Sequence, residues 1–195
     1  MSRSAVLRCL AGVLLALCLV GGESPGARAA PPDPRLRDAL KRAIERADSF
    51  TSQFAAEVWL MDMSSRLRDR IPDPNERLRL LRLVHTEAKR AGLKPEWVLA
   101  LIDVESDFNR FAISSSGARG LMQIMPFWLE EIGHPNDNLF HIDTNLRLGC
   151  TILRYYLDLE HGDLARALAR YNGSLGSNRY PALVFEALEE HWFAQ

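Results

Sequence analysis

Two consecutive helical patterns, separated by a glycine and a proline, constrain the fold of this chain more than any other feature. Asp73 can cap the first helix, and Pro74 suits its first turn, where the missing amide proton is not needed. Apolar residues then recur every three to four positions as far as Gly92, a residue suited to ending a helix. The second pattern opens at Pro95 and continues through Ser106. We therefore expect two successive helices here.

The remaining helical patterns and the weak β signal predict an all-α fold. No Asn-Gly or Asp-Gly turn joins two alternating apolar segments, so no β-hairpin is expected. Further helices are expected at 35–48, 51–70, 127–133, 143–160 and 163–170, and from Pro181 to the chain end. Loops are expected at 109–121, 134–142 and 172–180.

The first thirty residues have the pattern of a secretory signal peptide. A short basic start precedes an apolar run over residues 9–20, which is too short to span a bilayer comfortably. Ala27 and Ala29 then form an Ala-x-Ala cleavage site, so we predict a signal peptide over residues 1–30. A membrane anchor is the alternative, and a lipoprotein site at Cys18 would need a smaller residue before it. We expect export to the periplasm rather than a membrane-anchored form.

The composition excludes several classes of function. The formal net charge is −1, so there is no electrostatic basis for binding nucleic acid or an anionic membrane surface. The five histidines occur at no metal-ligand spacing, and we expect neither a metal site nor a cofactor. Removal of residues 1–30 would leave Cys150 as the remaining cysteine, so no internal disulfide is expected. We interpret it as a small buried hydrophobic residue.

The proline-rich helix start described above also suggests a domain boundary. We expect an N-terminal helical extension over residues 31–74 and a helical domain over residues 75–195. Phe54, Val58 and Trp59 are too apolar for a free tail, so we expect the extension to dock on the domain.

The helix that begins at Pro95 carries an acidic residue at the edge of its apolar stripe. Val98 and Ile102 recur at helical spacing, and Glu105 continues the same row. Partial desolvation would raise the pKa of this carboxyl and allow it to act as a general acid near neutral pH. The alternatives are an ion pair with an arginine or a solvated position at the helix end.

The segment after this helix has the residue types that a sugar site needs. Gly117 and Gly120 allow tight backbone paths close to a ligand. Gln123 offers both a hydrogen-bond donor and an acceptor between apolar neighbours, which suits sugar hydroxyls and acetamido groups. The alternative is that nearby backbone groups satisfy this glutamine.

Further residues complete a pattern around Glu105. They are Ser106, Ala112, Ser114, Gly117, Ala118, Gly120, Leu121, Met122, Gln123, Met125, Pro126, Asn145, Gly149, Ala169, Tyr171 and Asn172. In this order and spacing, they resemble the signature of the family 1 lytic transglycosylases. The resemblance covers about residues 80–185 and combines several motifs, so it is more specific than a single one. It implies a lysozyme-like helical domain, to which the helical patterns at 35–48 and 51–70 add two extra N-terminal helices.

The resemblance also implies residue roles. Glu105 aligns with the single catalytic acid of the family, and Ser106 aligns with a residue that supports the helix end. The residues that the resemblance places at the substrate are Ser114, Gln123, Met125, Tyr171 and Asn172.

The implied reaction cleaves the β-1,4 bond between N-acetylmuramic acid and N-acetylglucosamine in peptidoglycan. Glu105 would protonate the leaving oxygen, and its carboxylate would then deprotonate the C6 hydroxyl, which closes onto C1 to give a 1,6-anhydro end. One carboxylate suffices for this reaction, whereas most glycosidases need two. Asp103 and Asp107 lie on other faces of the helix and cannot provide the second.

Two alternatives share parts of this interpretation. A hydrolytic muramidase would use water on the same bond, and a non-catalytic protein would only bind the wall or help assemble a secretion apparatus. The expected partners are peptidoglycan glycan strands, with cell-envelope assembly or secretion-system proteins as a further possibility. We expect a monomer.

Three aromatic residues depart from the family pattern. Phe127 and Trp128 replace small residues, and we expect them to belong to the core, with a sugar-stacking surface as the alternative. Tyr180 is compatible with stacking on sugar or with packing on the final helix.

Overall fold

The computed structural model describes Asp38 and residues 48–193 of the chain. Within them the protein is helical and has no strand, which confirms the all-α prediction. None of the described helices is long and apolar enough to cross a membrane. The helices are α1 (Gln53–Arg66), α2 (Pro74–Arg90), α3 (Pro95–Ser106), α4 (Trp128–Ile132), α5 (Ile142–Leu159), α6 (Leu164–Tyr171) and α7 (Arg179–Ala187), followed by a π-helical turn (Leu188–Trp192).

The predicted helix starts at α2 and α3 are confirmed. The Asp73 side chain accepts a hydrogen bond from the Asn75 amide at 3.1 Å, and Pro74 occupies the first turn of α2. Pro95 begins α3 in the same way. These helices form where they were expected because their start signals are local and act within one turn.

Other helix predictions need correction or lie outside the structure's description. The helix expected at 51–70 is shorter, and the one expected from Pro181 to the chain end begins at Arg179 and becomes a π-helical turn. The helix expected at 35–48 lies almost wholly outside the described residues.

The centre of the fold is α3. Its residues Val98, Leu99, Ala100, Leu101 and Ile102 are all fully buried, so the helix is enclosed on every side over more than one turn. It packs against α2, against α7 and against the π-helical turn. This burial fixes the orientation of α3 and therefore the position of Glu105 in its last turn.

The N-terminal helix α1 docks on α2, and the face that it buries differs from the expectation. Of the three residues expected to dock, Trp59 packs against the core, whereas Phe54 and Val58 are exposed. Ala56, Leu60 and Met63 form the buried face. Successive positions three to four apart share a face, so burying these three residues turns Phe54 and Val58 outward. The part of the extension that the structure describes thus contributes to the common core.

Candidate functional site

Glu105 lies in the last turn of α3 and is partly buried. The helix ends directly after it, because Asp107 adopts a left-handed backbone conformation with φ of 46°. Burial raises the pKa of the Glu105 carboxyl above its ordinary value. The structure therefore supports the expected partial desolvation of this group.

Tyr180 is the hydrogen-bond partner of this carboxyl. Its side chain is buried at the start of α7, and its hydroxyl donates to Oε1 of Glu105 at 2.5 Å. This bond opposes the burial effect on the pKa of Glu105 without overcoming it. Burial, followed by the negative charge of Glu105, raises the pKa of Tyr180 strongly, so the phenol stays protonated and remains a donor.

Neither role expected for Tyr180 describes this contact. The two residues are 75 positions apart, and no local pattern in the sequence relates a tyrosine at a helix start to a distant carboxyl. Tyr180 is the site residue that sequence reasoning missed.

Tyr171 lies at the end of α6, and its hydroxyl is already engaged. It donates to the backbone carbonyl of Met122 at 2.8 Å. Burial and then the charge of Glu105 raise the pKa of Tyr171, which places this ring in the electrostatic environment of the carboxyl. The tyrosine therefore joins α6 to the segment that carries Gln123.

That segment is held in place by a buried asparagine on α5. The side-chain amide of Asn145 donates to the carbonyls of Arg119 at 2.9 Å and of Leu139 at 2.8 Å. Its Oδ1 accepts from the amide of Met122 at 2.8 Å. Since buried polar groups need partners, this one side chain fixes two loops against α5.

Two glycines allow this close approach. A Cβ on Gly120 would lie 2.3 Å from Nδ2 of Asn145 and 2.4 Å from the carbonyl oxygen of Leu139, and its φ is +77°. A Cβ on Gly149 would lie 2.3 Å from the sulfur of Met122. Gly120 therefore requires glycine, because backbone lies in the way and its φ is positive, whereas a Cβ at Gly149 would force the Met122 side chain to move.

The amide nitrogen and the amide oxygen of the Gln123 side chain differ in their hydrogen bonding. Its Nε2 donates to the carbonyls of Gly120 at 2.9 Å and of Ala112 at 3.2 Å. These bonds orient the amide, and no hydrogen bond to Oε1 is found among the described residues. The protein itself thus uses the expected donor, and the substrate role of Gln123 remains a prediction.

The other predicted substrate residues lie around this segment. The hydroxyl of Ser114 accepts from the Ala118 amide at 3.0 Å and so closes a tight turn. Met125 is partly buried beyond Gln123, and Asn172 is exposed at the end of α6. In the part of the chain that the structure describes, no hydrogen bond joins Ser114, Met125 or Asn172 to Glu105. Their roles remain predictions.

Ser106 has the supporting position that was expected. Its hydroxyl lies 3.2 Å from the carbonyl oxygen of Ile102 and 2.8 Å from that of Leu121. It therefore ties the last turn of α3 to the segment that carries Gln123.

The two acidic residues nearest in sequence to Glu105 are engaged elsewhere. Asp103 pairs with Arg70 at 3.0 Å and accepts from the indole of Trp192 at 2.8 Å. Asp107 pairs with the same arginine at 2.7 Å. Neither of these two aspartates is therefore placed to act as a second carboxylate beside Glu105. No group of three or more potential ligands among the described residues could hold a metal ion.

The core position expected for Phe127 is wrong. Its side chain is 52% exposed, whereas Trp128 is partly buried against the core. The two rings are in contact, with centroids 5.0 Å apart. Because α4 begins only at Trp128 and is five residues long, it has one narrow inward face, and Phe127 lies outside it.

Comparison with known proteins gives a consistent group of relatives. The family model described as "Transglycosylase SLT domain" matches residues 82–189, more than half of the chain. Membrane-bound lytic murein transglycosylase C of Yersinia pestis (strain Pestoides F) is 33% identical over 113 residues, covering 50% of this chain and 32% of the relative. The protein of the same name from Actinobacillus pleuropneumoniae serotype 5b (strain L20) is 48% identical over 46 residues, covering 24% and 13%. The match thus spans about a third or less of these curated relatives.

Two solved structures were also found. An inactive mutant of the lytic transglycosylase Slt from Pseudomonas aeruginosa gives a TM-score of 0.46 at 23% identity, covering 82% of this chain and 34% of that one. The 70 kDa soluble lytic transglycosylase from Escherichia coli gives a TM-score of 0.45 at 19% identity, covering 80% and 26%.

Proposed function

Because this chain belongs to the Transglycosylase SLT domain family, we propose that it is a peptidoglycan lytic transglycosylase. It cleaves the β-1,4 bond between N-acetylmuramic acid and N-acetylglucosamine and leaves a 1,6-anhydro end. The observation that carries the proposal is the partly buried Glu105 carboxyl, whose pKa is raised and whose Oε1 accepts from Tyr180. A raised pKa keeps part of the carboxyl protonated, as a general acid requires.

In the first step, Glu105 protonates the glycosidic oxygen. Since Oε1 accepts the Tyr180 hydroxyl, the carboxyl proton resides on Oε2, and this oxygen is the donor. The bond from C1 to the leaving oxygen breaks, and the 2-acetamido group of the substrate stabilises the positive charge at C1.

In the second step, the resulting carboxylate removes the proton of the C6 hydroxyl. The C6 oxygen bonds to C1, so the anhydro ring closes and the proton returns to Glu105 without consumption of water. The Tyr180 hydrogen bond stabilises the carboxylate between the two steps. The engagement of Asp103 and Asp107 with Arg70 supports a reaction that needs one carboxylate.

The substrate contacts are assigned to the residues around Gln123. Oε1 of this glutamine accepts a hydrogen bond from the sugar, and its amide nitrogen holds the loop. Tyr171 supports the same loop through Met122, and its ring lines the cleft. Ser114, Met125 and Asn172 complete the cleft in the positions that the family resemblance gives them.

The proposed location is the cell envelope, on the periplasmic side. The relatives are named membrane-bound, and residues 1–30 have the signal-peptide pattern, although they lie outside the described residues. The proposed partner is the glycan strand of peptidoglycan.

Product analysis tests this function. The purified chain is incubated with peptidoglycan sacculi, and the released muropeptides are identified by mass. The transglycosylase reaction gives anhydro ends, which lack one water relative to hydrolytic products. Reducing ends would instead identify a muramidase, and the absence of release would indicate a wall-binding protein.

The Glu105→Gln variant tests the residue assignment. It keeps the side-chain shape and removes the proton donor, so release from sacculi should fall by about 10²–10⁴-fold. Circular dichroism and thermal melting check that the variant is folded. If the folded variant keeps more than about a tenth of the activity, corresponding to less than about 1.4 kcal/mol of barrier, Glu105 is not the acid.

A further inference from the structure

A cavity of about 290 Å³ lies between α1, α2 and the first turn of α3. This is at the lower end of the size of ligand pockets, about 300–1,000 Å³. Its floor and walls come from three parts of the chain, and the residues used below are Phe50, Trp59, His85, Lys89, Lys94 and Glu96.

The cavity is separate from the cleft at Glu105. Glu96 and Glu105 are nine residues apart on the same helix, which corresponds to about 14 Å along the axis and two and a half turns. The cavity therefore lies at the other end of α3 and on the opposite side of it. A group bound there cannot belong to the sugar that Glu105 protonates.

His85 supplies a hydrogen-bond donor to this cavity. It is 5% exposed, and burial, together with the charge of Lys89, lowers the pKa of its imidazole to about 4, so the ring is neutral at pH 7. Its Nδ1 lies 2.7 Å from the hydroxyl of Ser49, which itself accepts from Thr86 at 3.4 Å. We assign the tautomer in which the Ser49 hydroxyl donates to Nδ1 and the ring proton lies on Nε2.

This Nε2–H group has no partner among the described residues. None of their buried side-chain nitrogen or oxygen atoms lacks a hydrogen bond, so Nε2 is one of the few atoms of His85 that keep contact with solvent. His85 is one of the residues that line the cavity. In the assigned tautomer, its imidazole can donate from Nε2 to a bound group.

Two lysines and one glutamate line the same cavity, and Nζ of Lys94 lies 5.4 Å from the centroid of the Trp97 ring. The chain has lysines only at positions 41, 89 and 94, and both of those that the structure describes line the cavity. The N-terminal end of α3, which has no side-chain cap and carries the positive end of the helix dipole, also borders the cavity. The carboxylate of Glu96 is occupied on one oxygen by the indole of Trp59 at 2.8 Å.

The remaining walls are apolar. The ring of Phe50 stacks on the imidazole of His85 with centroids 3.5 Å apart, and Trp59 meets the same imidazole edge-on at 5.2 Å. No arginine lines the cavity, although arginine is the side chain best suited to grip a phosphate with two parallel bonds. Donors with single charges and flat apolar walls favour a carboxylate on a small aliphatic body.

We propose that this cavity binds the carboxylate end of a short peptide. Under the proposed function, on which the identity of the peptide rests, the source is a peptide attached to the glycan strands. The cavity then holds the wall at a second point, on the side of α3 away from the cleft. The lactyl carboxylate of muramic acid has related chemistry, and the experiment separates the two sources.

The test is a titration followed by ¹H–¹⁵N NMR at the indole of Trp59, whose N–H bonds to Glu96 at the cavity. The probes are N-acetyl-D-alanyl-D-alanine, its C-terminal amide and N-acetylmuramic acid. The acid should move the Trp59 signal in a saturable manner, and the amide should not. Equal effects of acid and amide, no effect, or an effect of N-acetylmuramic acid alone would overturn the proposal.

Variants of the two lysines test whether the change in the Trp59 signal depends on their charges. Lys89 and Lys94 are both exposed, so the double variant Lys89→Ala, Lys94→Ala should fold normally. It should bind the acid at least about tenfold more weakly, equivalent to about 1.4 kcal/mol. Arg79→Ala, which removes one positive charge from an exposed position of α2 outside the cavity, should bind normally. Equal binding by the double variant and the Arg79 control would contradict the proposal.

The Glu105→Gln variant separates this proposal from the catalytic one. Its binding of N-acetyl-D-alanyl-D-alanine should equal that of the unmodified chain, because the two sites lie on opposite sides of α3. Loss of catalysis with retained binding is the expected combination. Loss of peptide binding in this folded variant would place the peptide in the cleft and overturn the separate site.

Discussion

At the Glu105 carboxyl, two opposing effects determine the pKa. Burial raises it, and the hydrogen bond from Tyr180 lowers it by a smaller amount. The balance leaves a group that can give up a proton and is then stabilised as an anion. The Tyr180 hydroxyl therefore lowers the pKa of Glu105, and this effect can be tested without changing Glu105 itself.

Tyr180→Phe removes the hydrogen bond while keeping the ring that buries Glu105. The pKa of Glu105 should rise further, because the carboxylate loses a donor and the burial effect remains. The fall of kcat at high pH should therefore move to higher pH, and the maximum should be lower. The measurement is the pH profile of muropeptide release.

Tyr155→Phe is the matched control for this prediction. Tyr155 is 56% exposed on α5 and does not contact Glu105. Its pH profile should be unchanged. Identical profiles for both variants would show that the Tyr180 bond does not affect the pKa of the acid.

The same raised pKa predicts a cost in stability. The pKa of Glu105 is higher in the folded state than in the unfolded chain, so its contribution is most favourable below the unfolded pKa of about 4.3 and is lost as the pH rises through the folded pKa. Glu105→Gln should therefore melt at a higher temperature than the unmodified chain at pH 7.

The gain in melting temperature should shrink as the pH is lowered below about 4.3, where the unmodified carboxyl becomes protonated in the unfolded chain as well as in the folded state. Glu57→Gln, an exposed position on α1, serves as the control and should show no such pH dependence. A lower melting temperature for Glu105→Gln at pH 7 would contradict the desolvation argument.

At the scale of elements, the segment between α3 and α4 depends on one asparagine and the glycine opposite it. Gly117 and Gly120 both have left-handed backbones, with φ of +86° and +77°. A Cβ on Gly117 meets nothing within 4 Å, whereas one on Gly120 would collide with Asn145 and the Leu139 carbonyl. Alanine at Gly117 would therefore cost only the free energy of a left-handed backbone. Alanine at Gly120 would cost the same free energy and, in addition, that of a steric clash.

Gly117→Ala should destabilise the protein by about 1–2 kcal/mol, the cost of a left-handed backbone for a residue with a Cβ. Gly120→Ala should add about 1–3 kcal/mol, because overpacking displaces the asparagine. It should also reduce activity more, since the loop that carries Gln123 moves. Urea unfolding and muropeptide release measure the two effects, and equal losses for both variants would show that the clash is relieved elsewhere.

The elements also show why the sequence predicted some features and missed others. The starts of α2 and α3 depend on prolines and a cap within one turn, and the burial of Glu105 follows from helical spacing on one helix. The contact of Tyr180 with Glu105 joins residues 75 positions apart, and the exposure of Phe127 depends on the short length of α4. Periodicity has no information about which distant side chains meet, so these features required the tertiary structure.

On the scale of the whole molecule, the core includes residues that lie before the start of the family match. The match begins at residue 82, inside α2. The core nevertheless includes Leu60, Met63 and Leu67 from α1 and the residue that follows it. Arg70, just beyond, pairs with Asp103 on α3. The described N-terminal residues are therefore part of the packed unit around the candidate site, whatever their role in related proteins.

Two neighbouring positions on α1 test whether this helix supports the fold. Leu60→Ala should destabilise the protein by about 2–5 kcal/mol, because Leu60 is fully buried and its removal leaves a cavity against α2. Val58→Ala should change stability by about 0.5 kcal/mol or less, since Val58 is 53% exposed on the opposite face of the same helix. Thermal and urea unfolding measure both variants in the intact chain. If α1 were a dispensable appendage, Leu60→Ala would have the same melting temperature as the unmodified protein. A loss confined to Leu60→Ala would instead show that the stability of the fold depends on a core that extends beyond the residues matched by the family model.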